Sequence, residues 1–190
     1  MSHFSPANLR QPIDVEACIL ATPPTATVKG MYIQRLAELV QRQSGGAAKR
    51  YVAFKDYPMR ELMRAVADAA ALLHPSLPTR EAICAVGRLV FPTLQSSIAG
   101  RVIFSFAGNN YQAALQRVAL GYEHSQNPGS ARLASLSAGE AVVELRSVWN
   151  FPDCYQVGVH EGALTWYEKN GSIELRTLSP CDVDLRIRWS

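Results

Sequence analysis

Apolar positions recur every three or four residues through the first two thirds of the chain and alternate in the last third. Tyr32, Leu36, Leu39 and Val40 share one face of a helix predicted over 28–42, which Ser44-Gly45-Gly46 ends. A second helix opens at Asp56-Tyr57-Pro58, since proline suits the first helical turn. Its stripe is Leu62, Met63, Val66, Ala70 and Leu73, and it stops at His74-Pro75. A third starts at Pro78-Thr79 with Thr79 as N-cap and turns Ile83, Val86, Leu89 and Val90 inward. Pro92 should kink or end it, after which Leu94, Ile98 and Val102 continue the pattern. Beyond the break at Ser105-Phe106-Ala107-Gly108, Asn109 or Asn110 caps a helix reaching about His124, with Tyr111, Leu115, Val118 and Tyr122 in one stripe.

The turn cluster 125–130 then changes the period. Strands are expected over 131–136 and 141–149, a helix over 154–169 stopped by Asn170-Gly171, and strands over 172–178 and 182–189. In the last of these Val183, Leu185, Ile187 and Trp189 alternate with Asp182, Asp184, Arg186 and Arg188. That pattern predicts a sheet dry on one face and carrying a solvated charge ladder on the other. Pro6, Pro12, Pro23 and Pro24 predict an extended arm over 1–27, in which Ile13, Val15, Cys18 and Leu20 could dock as a short strand. The expected architecture is α+β, an N-terminal helical half packed on a C-terminal strand–strand–helix–strand–strand antiparallel sheet. We expect one domain over 1–190, with the arm at 1–27, the helical half at 28–125 and the sheet with its helix at 126–190.

Composition narrows the function classes. The 190 residues carry 19 Lys plus Arg against 16 Asp plus Glu, and 48% are hydrophobic, which excludes a mostly disordered chain. A net charge of +3 does not suggest a nucleic-acid binder. No apolar run approaches the roughly 20 residues of a membrane span, because Arg88, Pro92 and Arg101 interrupt the longest ones. The N-terminus lacks the basic-then-apolar order of a secretory signal. The four separated cysteines are therefore expected as reduced thiols in a cytoplasm.

Candidate chemistry is sparse. No nucleophile elbow, phosphate loop, dinucleotide fingerprint or zinc-protease motif occurs. Gly158 and Gly162, four apart, share one helix face that suits close approach to the sheet, to another helix or to a second copy of the chain. His160 lies beside that face and could point into a cavity. Trp149, Phe151, Tyr155, Trp166 and Tyr167 crowd the same region, as core or as the walls of an apolar pocket. Asn109, Tyr111, Trp149, Tyr155 and His160 are the candidate ligand-binding residues. Cys154, Glu174 and Cys181 are a weaker candidate zinc site that lacks a fourth ligand. Cys154 as nucleophile with His160 as base is the enzyme alternative. No catalytic residue and no cofactor are assigned.

The segments Thr27-Val28-Lys29-Gly30-Met31-Tyr32, Tyr57-Pro58, Gly108-Asn109-Asn110-Tyr111, Phe151-Pro152, the Gly158–Gly162 helix and Leu185-Arg186-Ile187-Arg188-Trp189 carry a resemblance. From about Pro23 onward the chain resembles a family of small myxobacterial proteins and domains of unknown function. The order of its C-terminal elements is also similar, more distantly, to haem-nitric-oxide-binding and four-vinyl-reductase ligand sensors. That likeness implies a ligand pocket between a helical half and the sheet unit. The haem proteins carry a Tyr-x-Ser-x-Arg motif and a proximal histidine on the preceding helix. Here the motif is absent, Arg146-Ser147-Val148-Trp149 does not match it, and His124 stands only at that helix's end. The phenol-sensing relatives hold zinc through cysteines and a glutamate, which Cys154, Glu174 and Cys181 echo with one cysteine short.

The expectation is a non-enzymatic module that binds a small apolar ligand or a protein partner. The alternative is an adaptor or scaffold that forms a homodimer.

Overall fold

The structure, a computed structural model, describes residues 3–45, 49–96, 101 and 107–190. The expected continuation at Ile98 and Val102 and the first half of the break at 105–108 lie outside the described residues.

The helical half holds α1 (Val15–Ala21), α2 (Gly30–Ser44), α3 (Met59–Leu73), α4 (Thr79–Arg88), α5 (Val90–Ser96), α6 (Tyr111–Leu115) and α7 (Val118–Ser125). The arm is not extended throughout. Asp14 accepts a hydrogen bond from Ala17 N at 2.9 Å and so nucleates α1, and Pro23-Pro24 lies beyond the helix rather than inside it. Val15, Cys18 and Leu20, expected on a strand, belong to that helix, and Ile19 is its buried residue. Arg60 fastens the end of α1 by donating to the carbonyls of Leu20 and Thr22. The stripe of α3 packs as its period demands, with Leu62, Met63, Val66 and Ala70 buried. On α2 only Leu36 of the expected stripe is buried, together with Ile33, and Tyr32, Leu39 and Val40 are half-buried. Between α4 and α5 the chain breaks at Leu89, so Pro92 falls in the first turn of α5, where its missing N–H leaves no bond unmade. The helix expected from Asn110 to His124 is divided at Gln116–Arg117 into α6 and α7. Asn110 caps the first by accepting from Ala113 N.

Short strands β2 (Thr27–Lys29), β3 (Asp56–Pro58) and β4 (Gln126–Asn127) form a small antiparallel sheet in the order β3-β2-β4. The main sheet is antiparallel and five-stranded, in the order β1-β7-β8-β6-β5. It is built from β1 (Ser5–Pro6), β5 (Ser130–Ser137), β6 (Glu140–Arg146), β7 (Gly171–Ser179) and β8 (Asp182–Trp189). The four expected strands are thus joined by a fifth from the arm, and α8 (Tyr155–Trp166) connects the two strand pairs. Register places Leu145 opposite Val183, Val143 opposite Leu185, and Ala141 opposite Ile187. All six are fully buried, which makes the inner face dry.

Three boundaries differ from expectation. β6 ends at Arg146 because Ser147 (φ 53°) adopts left-handed backbone and turns the chain away before Trp149, and Phe151 (φ 51°) adopts it again before α8. α8 ends at Trp166, with the left-handed residue at Glu168 (φ 53°). Gly171 is therefore not a helix stop but the first residue of β7, where a Cβ would overlap the Arg188 carbonyl.

The outer face carries the charge ladder, with one correction: Asp184 is fully buried rather than solvated. β8 is a central strand, so the short carboxylate is roofed by longer side chains from its neighbours. Arg146 reaches it at 2.7 Å and Arg176 at 2.5 Å. Phe4, arriving beside β1, lies over the guanidinium groups of Arg176 and Arg186 at 4.9 and 4.5 Å from its ring centre. Among the described residues, no helix is long and apolar enough to cross a membrane.

Candidate functional site

α8 is the element around which the site is built. Its glycine face is occupied by the chain's own α4. A Cβ on Gly158 would overlap the Cys84 carbonyl, one on Gly162 the Arg88 carbonyl, and one on Gly87 the Tyr155 carbonyl. Three Cβ-free positions let the two backbones meet, as small-residue crossings do. Of the approaches the spacing of Gly158 and Gly162 allows, the structure shows the one to another helix of the same chain, and that helix fills the face that a second copy would need.

The adjoining side of α8 presents Tyr155, Gln156, Val159, His160 and Ala163 to a cavity of about 110 Å³. The other walls come from Val28 on β2, Tyr32 on α2, Leu62 on α3, Phe91 on α5, Tyr111 and Ala114 on α6, Tyr122 on α7 and Gln126 on β4. None of the described lining residues belongs to β5, β6, β7 or β8. The cavity therefore lies among the helices with α8 as one wall, rather than directly against the main sheet.

Most of the wall is apolar, and every polar lining group among the described residues is neutral. Tyr122 Oη donates to Gln156 Oε1 at 2.5 Å, and Gln156 Nε2 donates to Asn150 Oδ1 at 2.9 Å, so these three are mutually satisfied. Burial pushes the Tyr32 phenol up to about 12 and raises Tyr111, Tyr122 and Tyr155 as well. Burial lowers His160 to about 4, so its imidazole is neutral near pH 7.

Three buried polar atoms on lining residues have no hydrogen-bond partner among the described residues: Tyr111 Oη, Gln126 Nε2 and His160 Nε2. Their residues are only 2%, 8% and 4% exposed. A buried polar atom without a hydrogen bond costs about 1–3 kcal/mol. Three such atoms around one apolar cavity call for something that pairs with them.

Of the sequence-derived candidates, Tyr111, Tyr155 and His160 meet at this cavity. Asn109 does not; it is exposed in the turn before α6. Trp149 does not line it either. The turn at Ser147 carries it away, and its indole nitrogen is buried without a described partner elsewhere. Gln126, Tyr122, Gln156, Asn150 and Tyr32 were missed as site residues. The two tyrosines sit on helix stripes that look the same whether they face core or cavity. Gln126 lies in a polar turn cluster whose pairing with Val28 is a long-range event.

The zinc alternative is contradicted. Cys154 is buried at the start of α8, Cys181 lies at the β7–β8 turn beside Ser179, and Glu174 is ion-paired to Arg186 and Arg188 on the outer face. Among the described residues, no three metal-ligating side chains gather. The thiol–imidazole pair fails too. Cys154 precedes the first residue of α8 with non-helical backbone, His160 lies in the second turn, and of the two only His160 is a lining residue of the cavity. Burial raises the Cys154 thiol well above its ordinary value, which suppresses the thiolate. Burial likewise pushes Cys84, which donates to Glu161, up to about 12.

With this geometry in hand, the fold is that of H-NOX domains. The chain is similar to an Fe(II) unliganded H-NOX protein from K. algicida at 12% identity and TM-score 0.57, over 85% of this chain and 96% of that one. It is similar to an H-NOX protein from S. oneidensis in the Fe(II)NO ligation state at 20% identity and TM-score 0.59, over 85% and 99%. It is also similar to a mutant of T. tengcongensis H-NOX at 17% identity and TM-score 0.53, over 85% and 97%. The chain itself belongs to the family described as protein of unknown function (DUF2378), whose model matches residues 22–190. No curated protein matches it.

Haem is the group this fold implies, and the described residues do not fit it. Among the described residues, no Arg or Lys lines the cavity to meet two propionates. His124, the histidine on the helix before the sheet unit, is exposed and outside the lining. The cavity of about 110 Å³ is below even the roughly 300 Å³ at which drug-sized sites begin.

Proposed function

We propose that this chain is a small-molecule-sensing module whose ligand occupies the cavity beside α8. The observation that carries the reading is the set of three partnerless buried atoms, Tyr111 Oη, Gln126 Nε2 and His160 Nε2, on residues of a largely apolar wall. Such a wall is what a binding site of this kind needs: apolar surface for affinity and a few polar groups for orientation. The H-NOX-like fold supports the sensing role by analogy. The described helices of one half and the sheet of the other converge on α8, so a ligand there would change the stability of the joint between them. The four free thiols suit a reducing compartment, and we place the protein in the cytoplasm.

A thermal-shift screen against small uncharged compounds tests the reading. At least one should raise the melting temperature. The Ala114→Phe variant, whose new ring fills the cavity, should fold but lose that response. No stabilising compound, or an undiminished response in Ala114→Phe, would contradict it.

A further inference from the structure

We infer that the ligand is uncharged, of about single-ring size, and carries a hydrogen-bond acceptor that engages Gln126. The inference rests on the ligand-site reading above and specifies its chemistry.

Size follows from volume. An apolar cavity of about 150 Å³ accepts benzene, so one of about 110 Å³ holds a molecule near that size once its walls yield slightly.

Charge follows from the wall. Among the described residues it contains no Arg, Lys, Asp or Glu, its four tyrosines are held as phenols, and His160 is held as neutral imidazole. An anion or cation entering would leave water without gaining a counter-charge.

The acceptor follows from the inventory of unmet groups. Gln126 Nε2 can only donate and has no partner among the described residues. Its backbone is held by the β2–β4 pairing, and its side-chain amide packs against Gly129, where a Cβ would lie 2.6 Å from that nitrogen. Tyr111 Oη and His160 Nε2 offer second contacts of either sense. The Tyr122–Gln156–Asn150 chain is already paired and adds shape rather than demand. A pure hydrocarbon of the right size would leave the Gln126 donor unmet.

Titration of the isotope-labelled full chain, followed by nuclear magnetic resonance, tests this with three near-isosteric probes: acetophenone, isopropylbenzene and benzoate. Acetophenone should bind about tenfold or more tighter than isopropylbenzene, and its binding should move the Gln126 side-chain amide signals. Benzoate should not bind. In Gln126→Leu the preference for the ketone should fall to within about threefold. If none of the three binds wild-type protein, the ligand-site reading itself fails. If isopropylbenzene or benzoate binds as well as acetophenone, the site stands and the assigned class is overturned. The wild-type comparison decides this even if Gln126→Leu does not fold.

Discussion

His160 concentrates the physics of the site in one side chain. Its imidazole is 4% exposed, its Nε2 has no partner among the described residues, and desolvation holds its pKa at about 4. In the unfolded chain the same group titrates near 6.5. The unfolded state therefore binds more protons between pH 6.5 and about 4, so stability must fall as pH falls through that window. At pH 5 the penalty is about 2 kcal/mol relative to neutral pH. Urea denaturation of wild type and His160→Gln at pH 7 and pH 5 measures it. Wild type should lose about 2 kcal/mol more than the variant on acidification. Equal losses would show that His160 is not held neutral in the wall. Its place beside the glycine face of a helix was legible in the sequence. That its second nitrogen would be left unmet was not, because that depends on every other element around the cavity.

At the scale of elements, the α4–α8 crossing fixes which side of α8 is free to line a cavity. The spacing of Gly158 and Gly162 announced a close approach, but the partner was hidden. Gly87 stands alone on α4, with no spaced companion to mark it as the third member. Gly158→Ala should destabilise the protein by about 2–3 kcal/mol through overpacking against the Cys84 carbonyl, measurable by chemical denaturation. A change below about 0.5 kcal/mol would mean that the helices do not touch there. Gly121→Ala serves as the control, since a Cβ at that position meets nothing within 4 Å. The same scale explains the misread arm. Four prolines pointed to extended chain, but they flank α1 without entering it, and the Asp14 cap was the overlooked signal. Strand β8 was the most legible element, because strict alternation with a dry face leaves little freedom of register. Its Asp184 was misplaced only because alternation cannot show which charges will be roofed by arginines from adjacent strands.

Across the whole molecule, the α+β order could be read from the change of period near residue 125. The cavity could not. Helix stripes identify inward faces, but whether facing stripes close fully depends on side-chain volumes brought together from β2, α2, α3, α5, α6, α7, β4 and α8. The fold is that of H-NOX domains, and among the described residues the cavity it encloses is lined by no charged side chain. Asn109 and Trp149 show how fine the margin is. Each lies close in sequence to a lining residue, Tyr111 and Asn150 respectively, and yet each falls outside the site.

The most direct test is a high-resolution crystal structure of the protein purified from cells and soaked with acetophenone. We predict density for an ordered molecule larger than water, bounded by α8 and in hydrogen-bond reach of Gln126 Nε2 and of Tyr111 Oη or His160 Nε2. A collapsed interior in which those three atoms bond only to protein groups would contradict the account.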